Sequence, residues 1–581
     1  MSTTASQTAK TAKAPAEGVE RPASQQEAAE RSMISAMAVN ALVSMDRSQI
    51  LAAAGRLAAR AATDPGLLAR RGLGLAREIA EIVVGRSERA PEAGDRRFAD
   101  PAFEKHPAYR RLMQGYLAVR ATLLALVEEV ELDPKSRDRA RFALSLLTEA
   151  LSPTNTLLGN PAALKRAFDT AGVSLAVGLK NLVTDYVEND GMPSQVDRRP
   201  FKVGENLAIT PGQVVFRNEV LELIQYAAQT PEVHERPFLF IPPQVNKYYV
   251  FDLAPGRSLM EFAVKSGFTT FAVSWRNPTP AQRDWGLGQY ISALIEASDV
   301  IREVSGSEKI NVMGACAGGI TTAVFLAYLA DRGDDRFTSA SFPVTMIDMG
   351  DPGMIGIFTS EATIASSLRR SAEKGILSGS DLARVFAWLR PNDLVWNYWV
   401  NNYLMGDNPP TFDILYWNND PTNLPATLHA EFLDVFLKNS LTQPGAVRVL
   451  DRPIDLKKVT CDVYAIGATT DHLTPWDACY RTPKLLGGKA TFVASNSGHI
   501  QALVNPPGNL KARYFTNPDL SGTAAEWLEG AKEQKGSWWT HWGEWLGKRS
   551  GAKRPAPTEQ GSAKYRPIVA APGRYVHQKH K

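Results

Sequence analysis

Cysteine is scarce. Cys316, Cys461 and Cys479 are the only three in 581 residues, too few for a disulfide framework. Long apolar runs are also missing. No stretch of about 18 uninterrupted apolar residues occurs, which argues against a membrane-spanning helix. The opening MSTTASQTAKTAKAPAEG lacks the apolar core of a secretory signal. With so few cysteines, that points to a reducing cytoplasm. There is no G-x-G-x-x-G after a strand pattern, no phosphate-binding lysine loop, no H-E-x-x-H and no C-x-x-C, so neither a nucleotide cofactor nor a metal is implied.

Charge of either sign is unremarkable in total, at net +4, but it is unevenly placed. The segment 549–581 is strongly basic and the rest of the chain is mildly acidic. The expectation is a solvated basic tail that aids solubility, in preference to contact with an anionic surface, and no nucleic-acid partner is expected. Hydrophobic residues make up 44% and charged residues 22%, ordinary globular values that exclude wholesale disorder.

At roughly 150 residues per domain the length allows about four domains, or fewer if one is large. Residues 1–32, rich in Ala, Thr, Ser, Gln and Glu, cannot bury much surface and are expected to be disordered. From 33 to 196 the apolar residues recur at helical spacing, as in RGLGLAREIAEIVVG (71–85), and predict a helical N-terminal domain with a modest core that leans on something else. The texture changes at ENDGMPSQVDRRPF (188–201). Beyond it, PFLFIPP (237–243), GFTTFAVSW (267–275), KINVMG (309–314), PVTMIDMG (343–350), CDVYAIG (461–467) and ATFVASNSG (490–498) read as buried strands. Helical patterns such as 287–306 separate them. That alternation predicts a mostly parallel sheet covered on both faces over 197–548. It lapses over about 351–460, an insertion of the size of a lid or cap. Trp538, Trp542 and Trp545 share one helical face, most simply a terminal helix docked on the core.

The most specific local feature is NVMGACAGGI (311–320), placed between a strand and the helix ITTAVFLAYLAD. Gly314, Cys316 and Gly318 form a nucleophile elbow with sulfur in place of oxygen. The tight turn crowds the positions two before and two after the nucleophile, where glycine fits, and sets the thiol at a positive helix end. Of eight histidines, His499 follows the last expected strand, where the base belongs, and Asp471 ends CDVYAIGATTD, where the acid belongs. His472, next to Asp471, is assigned a structural or substrate-contacting role. Cys461 and Cys479 lack an elbow and read as packing residues. The oxyanion donors are expected to be the backbone N–H of Ala317 and, from the loop IPPQVNKYY (241–249), that of Val245. A thiol nucleophile suits a thioester substrate, because exchange between thioesters is nearly balanced. The acyl group then stays activated for transfer to a hydroxyl if water is excluded. The apolar, Trp- and Tyr-rich stretch 390–420 suits that exclusion.

These residues carry a resemblance. DRRFADPAF (95–103), PTNTLLGNPAALKR (153–166), NDGMPSQV (189–196), PPQVNKYYVFDL (242–253), GACAGG (314–319), RPNDLVWNYWVNNYL (390–404), TDHLTPW (470–476) and SNSGHIQALVNPPGN (495–509) are long and specific. The chain resembles the polyhydroxyalkanoate synthases, and among them the single-subunit kind that polymerises medium-chain 3-hydroxyacyl groups. The resemblance runs from about Gly94 to the C-terminus. It implies an α/β-hydrolase catalytic domain with a lid insertion, and acyl transfer from 3-hydroxyacyl-CoA to a growing polyester with release of CoA. It also implies a homodimer, residence at cytoplasmic polymer granules, and no cofactor beyond the CoA that arrives as part of the substrate. By motif, Cys316 is the nucleophile, His499 activates it, and Asp471 helps activate the 3-hydroxyl of the elongating unit, alone or through His499. Trp417 in ILYWNND matches an aromatic of the dimer or lid region, with simple packing as the alternative reading. Asn246, Arg390 and His472 are further candidate substrate or lid contacts. Two rivals remain at this point: a cysteine-dependent thioesterase or depolymerase with the same triad, and a non-catalytic granule-coat protein.

Overall fold

The structure, a computed structural model, describes residues 47–92, 95–350, 361–382, 391–471 and 473–579. Expectations for residues 1–32 lie outside the described residues.

The first described elements are helices: α1 Arg47–Ala62, α2 Pro65–Val83, α3 Pro107–Glu129, α4 Pro134–Ala150, α5 Pro161–Asp169 and α6 Val173–Glu188. Their starts are chemically marked. Proline stands in the first turn of α2 to α5, and Asp64, Asp133 and Asn160 each accept a backbone N–H of the turn they precede. The buried clusters here are small. One joins Leu57, Leu67, Val127, Val130, Ala140 and Leu144, and another joins Phe98, Phe103, Met113 and Leu117. The support comes from the insertion. A Cβ on Gly178 of α6 would lie 1.9 Å from the Tyr403 carbonyl oxygen, so the two backbones touch. Tyr403 Oη donates to the buried Asp185 carboxylate at 2.8 Å.

The strands follow: β1 Gly212–Arg217, β2 Leu221–Tyr226, β3 Glu232–His234, β4 Phe238–Ile241, β5 Thr270–Trp275, β6 Ile310–Gly314, β7 Phe337–Pro343, β8 Asp462–Ala468, β9 Ala490–Ser495, β10 Arg513–Thr516, β11 Lys532–Lys535, β12 Lys553–Pro555 and β13 Val569–Ala570. Eleven of them form one sheet in the order β11-β10-β9-β8-β7-β6-β4-β5-β2-β1-β13. The six central strands from β9 to β5 are parallel, and the outer ones antiparallel. Helices α7 Leu287–Ser305 and α8 Ala317–Asp331 supply crossovers. Almost every side chain of α8 is buried, as befits a helix within the principal core. The chain reverses its winding at β4, which lies between β5 and β6. In open parallel sheets the crevice at such a point, beyond the strands' carboxyl ends, is where ligands bind.

Two sequence expectations are corrected. The run 343–350 is not a strand beyond Pro343; the strand is β7, which ends there, and its FTSASFP text is too polar to announce itself. Its serines are buried but bonded: Ser339 Oγ donates to Asn311 Oδ1 at 2.6 Å, and Trp542 Nε1 donates to Ser341 Oγ at 3.0 Å. The segment 549–581 is not a solvated tail. Up to Lys579 its backbone is bound into the sheet region: β12 pairs with β3, and β13 extends the main sheet by pairing with β1. Lys553, Lys564, Arg566, Arg574 and Lys579 are exposed, Arg549 and Arg554 turn inward to Asp462 and Ser305 O, and the backbone between them completes ladders, so charge counting misreads the segment.

The tryptophan helix, α9 Trp538–Gly547, is docked on the core with Trp538, Trp539, Trp542 and Trp545 all buried. Trp542 packs edge-on against Phe238 of β4. Truncating it leaves both a cavity and an unpaired Ser341 hydroxyl. Trp542→Ala is expected to cost about 3–5 kcal/mol, read as a lowered urea midpoint by far-ultraviolet circular dichroism.

Candidate active site

The carboxyl ends of β4, β6, β8 and β9 bring together the residues at issue. Cys316 follows β6 and caps α8 with φ 51° and ψ −123°. A side chain occupies that region only under constraint. The constraint is visible. The Cys316 N–H donates to Pro343 O at 3.1 Å, and the Ala315 N–H to Ile241 O at 3.4 Å, so neighbouring strands hold the turn from both sides. A Cβ on Gly314 would lie 2.1 Å from Thr322 Oγ1. One on Gly318 would lie 2.5 Å from Pro242 O, and one on Gly319 2.1 Å from Thr345 Oγ1. Only hydrogen fits at these three positions.

His499 opens a short helix after β9, Asp471 lies in the loop after β8, and both are buried. His499 Nδ1 and Asp471 Oδ2 are 2.7 Å apart. The carboxylate is further fixed by the backbone N–H groups of Leu473 (2.8 Å) and Thr474 (3.1 Å) on Oδ1 and the Thr474 hydroxyl (2.8 Å) on Oδ2. Thr474 Oγ1 also lies 3.3 Å from His499 Nδ1. With Nδ1 committed to Asp471, the free ring nitrogen is Nε2, which is buried with no hydrogen-bond partner among the described residues. Burial alone would lower the imidazole's pKa. The Asp471 carboxylate outweighs it, with help from the Cys316 sulfur, and holds the ring well above its usual range. Burial pushes the Cys461 thiol up to about 12, and the Cys479 thiol well above its ordinary value. Neither is suited to nucleophilic work.

Ala317 is the first residue of α8, so its N–H belongs to the unpaired first turn. Val245 lies in the loop after β4, whose Pro242 carbonyl sits against Gly318. Neither N–H has an acceptor among the described residues. Asn246 is buried and bridges to Pro421 of the insertion. Trp417 is fully buried in the main core, and its indole N–H donates to Lys247 O at 2.7 Å, so here it is a packing residue. His472 and Arg390 lie outside the described residues. Thr474 was missed from the sequence. The signal was there as a hydroxyl three residues after an aspartate, the spacing of a local side-chain turn.

Comparison with known proteins identifies the family. A family model described as the N-terminus of poly-beta-hydroxybutyrate polymerase (PhaC) matches residues 94–263, and one described as the alpha/beta hydrolase fold matches residues 251–506. Poly(3-hydroxyalkanoate) polymerase 1 of Ectopseudomonas oleovorans is 47% identical over 543 residues, 94% of this chain and 97% of that protein. Polymerase 2 of the same organism is 48% identical over 505 residues, 87% and 90% of the two chains. The poly(3-hydroxyalkanoate) polymerase subunit PhaC of Cupriavidus necator is 42% identical over 507 residues, 86% and 85%. Identity of this depth, sustained across the helical region and the sheet alike, means that the chain, an α/β-hydrolase fold carrying a helical N-terminal region, belongs to the polyhydroxyalkanoate synthase family.

Proposed function

We propose that the protein polymerises 3-hydroxyacyl groups delivered as CoA thioesters, with Cys316 as the covalent nucleophile. The observation that carries this reading is the buried line Asp471–His499 beside a cysteine on a strained elbow. His499 Nε2 takes the proton of the Cys316 thiol, and the thiolate forms at the positive end of α8. The thiolate attacks the thioester carbonyl, and the Ala317 and Val245 N–H groups receive the developing oxyanion. The carbon–sulfur bond to CoA breaks, and the departing thiolate takes the proton from His499 Nε2. His499, now neutral, accepts the proton of a 3-hydroxyl at the chain end as that oxygen attacks the acyl-cysteine. The Cys316 thiolate returns beside an imidazolium, and the polyester is one unit longer.

Asp471 has both oxygens occupied and its side chain is fully buried. This supports action through His499 rather than direct contact with the hydroxyl. The insertion, joined to the oxyanion loop, would be the cover that keeps water from the acyl-cysteine, which separates a synthase from a thioesterase of the same triad.

Work at a polyester granule in the cytoplasm, as a homodimer, is part of the same proposal. Phe168 at the end of α5 and Val183, Tyr186 and Val187 on α6 are exposed, apolar side chains of the kind that meet an apolar surface.

Three outcomes test the reading. Cys316→Ala abolishes CoA release from 3-hydroxyacyl-CoA, and Cys316→Ser lowers it severely because an alkoxide is far harder to generate; full release from the alanine variant would defeat the proposal. Stability carries a pH signature. The imidazole is raised in the folded state to about 10, so its contribution is fully present below the unfolded ring's pKa of about 6.5 and is lost as pH rises through the folded value. The melting-temperature gap between the protein and His499→Gln should therefore narrow from pH 7 to pH 10. Finally, Phe168→Asp combined with Tyr186→Asp and Val187→Asp should release the enzyme from polymer granules in sedimentation while leaving CoA release from soluble substrate intact.

A further inference from the structure

The segment Pro242–Lys247, which carries Val245, belongs to no helix or strand beyond the single bridge at Asn246. Oxyanion donors must nevertheless be fixed before the reaction, because a reorganising donor stabilises nothing at the moment of attack. What fixes this loop comes from far away in sequence. The insertion takes one side: the Thr422 hydroxyl donates to Gln244 O at 2.5 Å, the Thr422 N–H to Val245 O at 3.3 Å, and the Trp417 indole to Lys247 O. The other side is the end of the chain.

Lys247 is the joint. Its ammonium is buried, and its three donors have three acceptors: Val576 O at 2.5 Å, Gln578 O at 2.8 Å and Asp420 Oδ1 at 3.0 Å. Asp420 Oδ2 in turn accepts from Tyr249 Oη at 3.1 Å. The terminal segment is itself immobilised. The N–H groups of Arg574 and Tyr575 both donate to Glu222 Oε2 at 2.8 Å, Tyr575 Oη donates to Asn218 O at 2.6 Å, and the Asn277 N–H donates to Gln578 Oε1 at 2.9 Å. A buried ammonium is costly unless every donor is met and its charge paired. Two of the three acceptors here are backbone carbonyls that exist only because the chain end is docked.

We propose that the C-terminal segment 569–579 is a strap that, through the Lys247 ammonium, positions the Val245 loop for acyl transfer, with Lys247 a positioning residue. This deepens the acyl-transfer reading above and rests on it. Loss of the joint frees the loop to shift, and a shift of about 1 Å at a catalytic donor costs about 100-fold in rate.

The test uses the full-length enzyme, Lys247→Met, Lys247→Arg, a chain ending at Tyr575, and the last combined with Lys247→Met. CoA release from 3-hydroxyacyl-CoA is measured beside the alkylation rate of Cys316 by iodoacetamide, followed on the Cys316 peptide by mass spectrometry. Alkylation needs the thiolate but no oxyanion donor. Lys247→Met and the truncation should each lower kcat about 10- to 100-fold, with KM and alkylation changed less than about twofold. Combining them should add little, since both cut one link. Lys247→Arg, which keeps the charge, should recover part of the loss and is the variant to trust if Lys247→Met fails to fold. Unchanged kcat, additive losses, or alkylation falling in step with CoA release would each overturn the strap. CoA release that survives Cys316→Ala would instead overturn the parent reading, and this inference with it.

Discussion

The site depends on one backbone constraint, a cysteine held at positive φ between a buried parallel strand and a buried helix. Such a conformation costs about 1–3 kcal/mol and survives only where the surroundings over-determine it. Here they do. β6 is bonded to β4 on one side and β7 on the other, and Gly314, Gly318 and Gly319 let backbone and hydroxyl groups approach to distances that any Cβ would forbid. The strain is therefore set against the stability of the whole sheet rather than against local loop contacts. Its return is directional: the sulfur stands clear of the sheet, at the start of a helix whose first N–H groups are unpaired.

Burial gives that placement its chemistry. A solvated imidazole near a thiol would share its proton with water. His499 is shut away with a carboxylate that accepts four donors, and that carboxylate holds the ring well above its usual range. In the proposed cycle, acylation would remove the contribution of the Cys316 sulfur, one of the supports that hold the imidazole high. The ring would then be a better proton donor to the leaving thiolate and, afterwards, a usable base for a hydroxyl. On that mechanism sulfur and burial make one device that alternates between acid and base without recruiting another group.

Much of this was legible in the sequence wherever a residue type has a single physical use. Glycines two residues either side of a cysteine, between an apolar run and a helical pattern, describe an elbow. Aliphatic runs such as 309–314 and 461–467 describe buried parallel strands. The text failed where structure depends on partners rather than on composition. The strand β7 is rich in serine and threonine and is recognisable only once Asn311 and Trp542 are beside it. The edge strands β12 and β13 are short pieces within a basic segment, and their pairing partners lie more than 300 residues away. Lys247 reads as an ordinary surface lysine until the chain end is seen to close over it.

Those distant pairings also explain why the helical region, the insertion and the sheet form one unit despite the modest core of the first. The insertion meets helix α6 backbone to backbone at Gly178 and at Gly406, where a Cβ would fall 2.3 Å from Ser174 O, and it meets the loop Pro242–Lys247 through Thr422. The insertion approaches α6 through two π-helical turns, Asn392–Trp396 and Trp399–Leu404, the second of which carries Tyr403; their wider winding forfeits regular helix bonding and is frequent at functional positions. A displacement of the insertion relative to α6 would be transmitted through Thr422 to the carbonyls of Gln244 and Val245. The same loop is held from its other side by the chain terminus. The loop Pro242–Lys247 is thus where the insertion and the C-terminal segment meet, and contacts from these two remote parts hold a segment without secondary structure of its own.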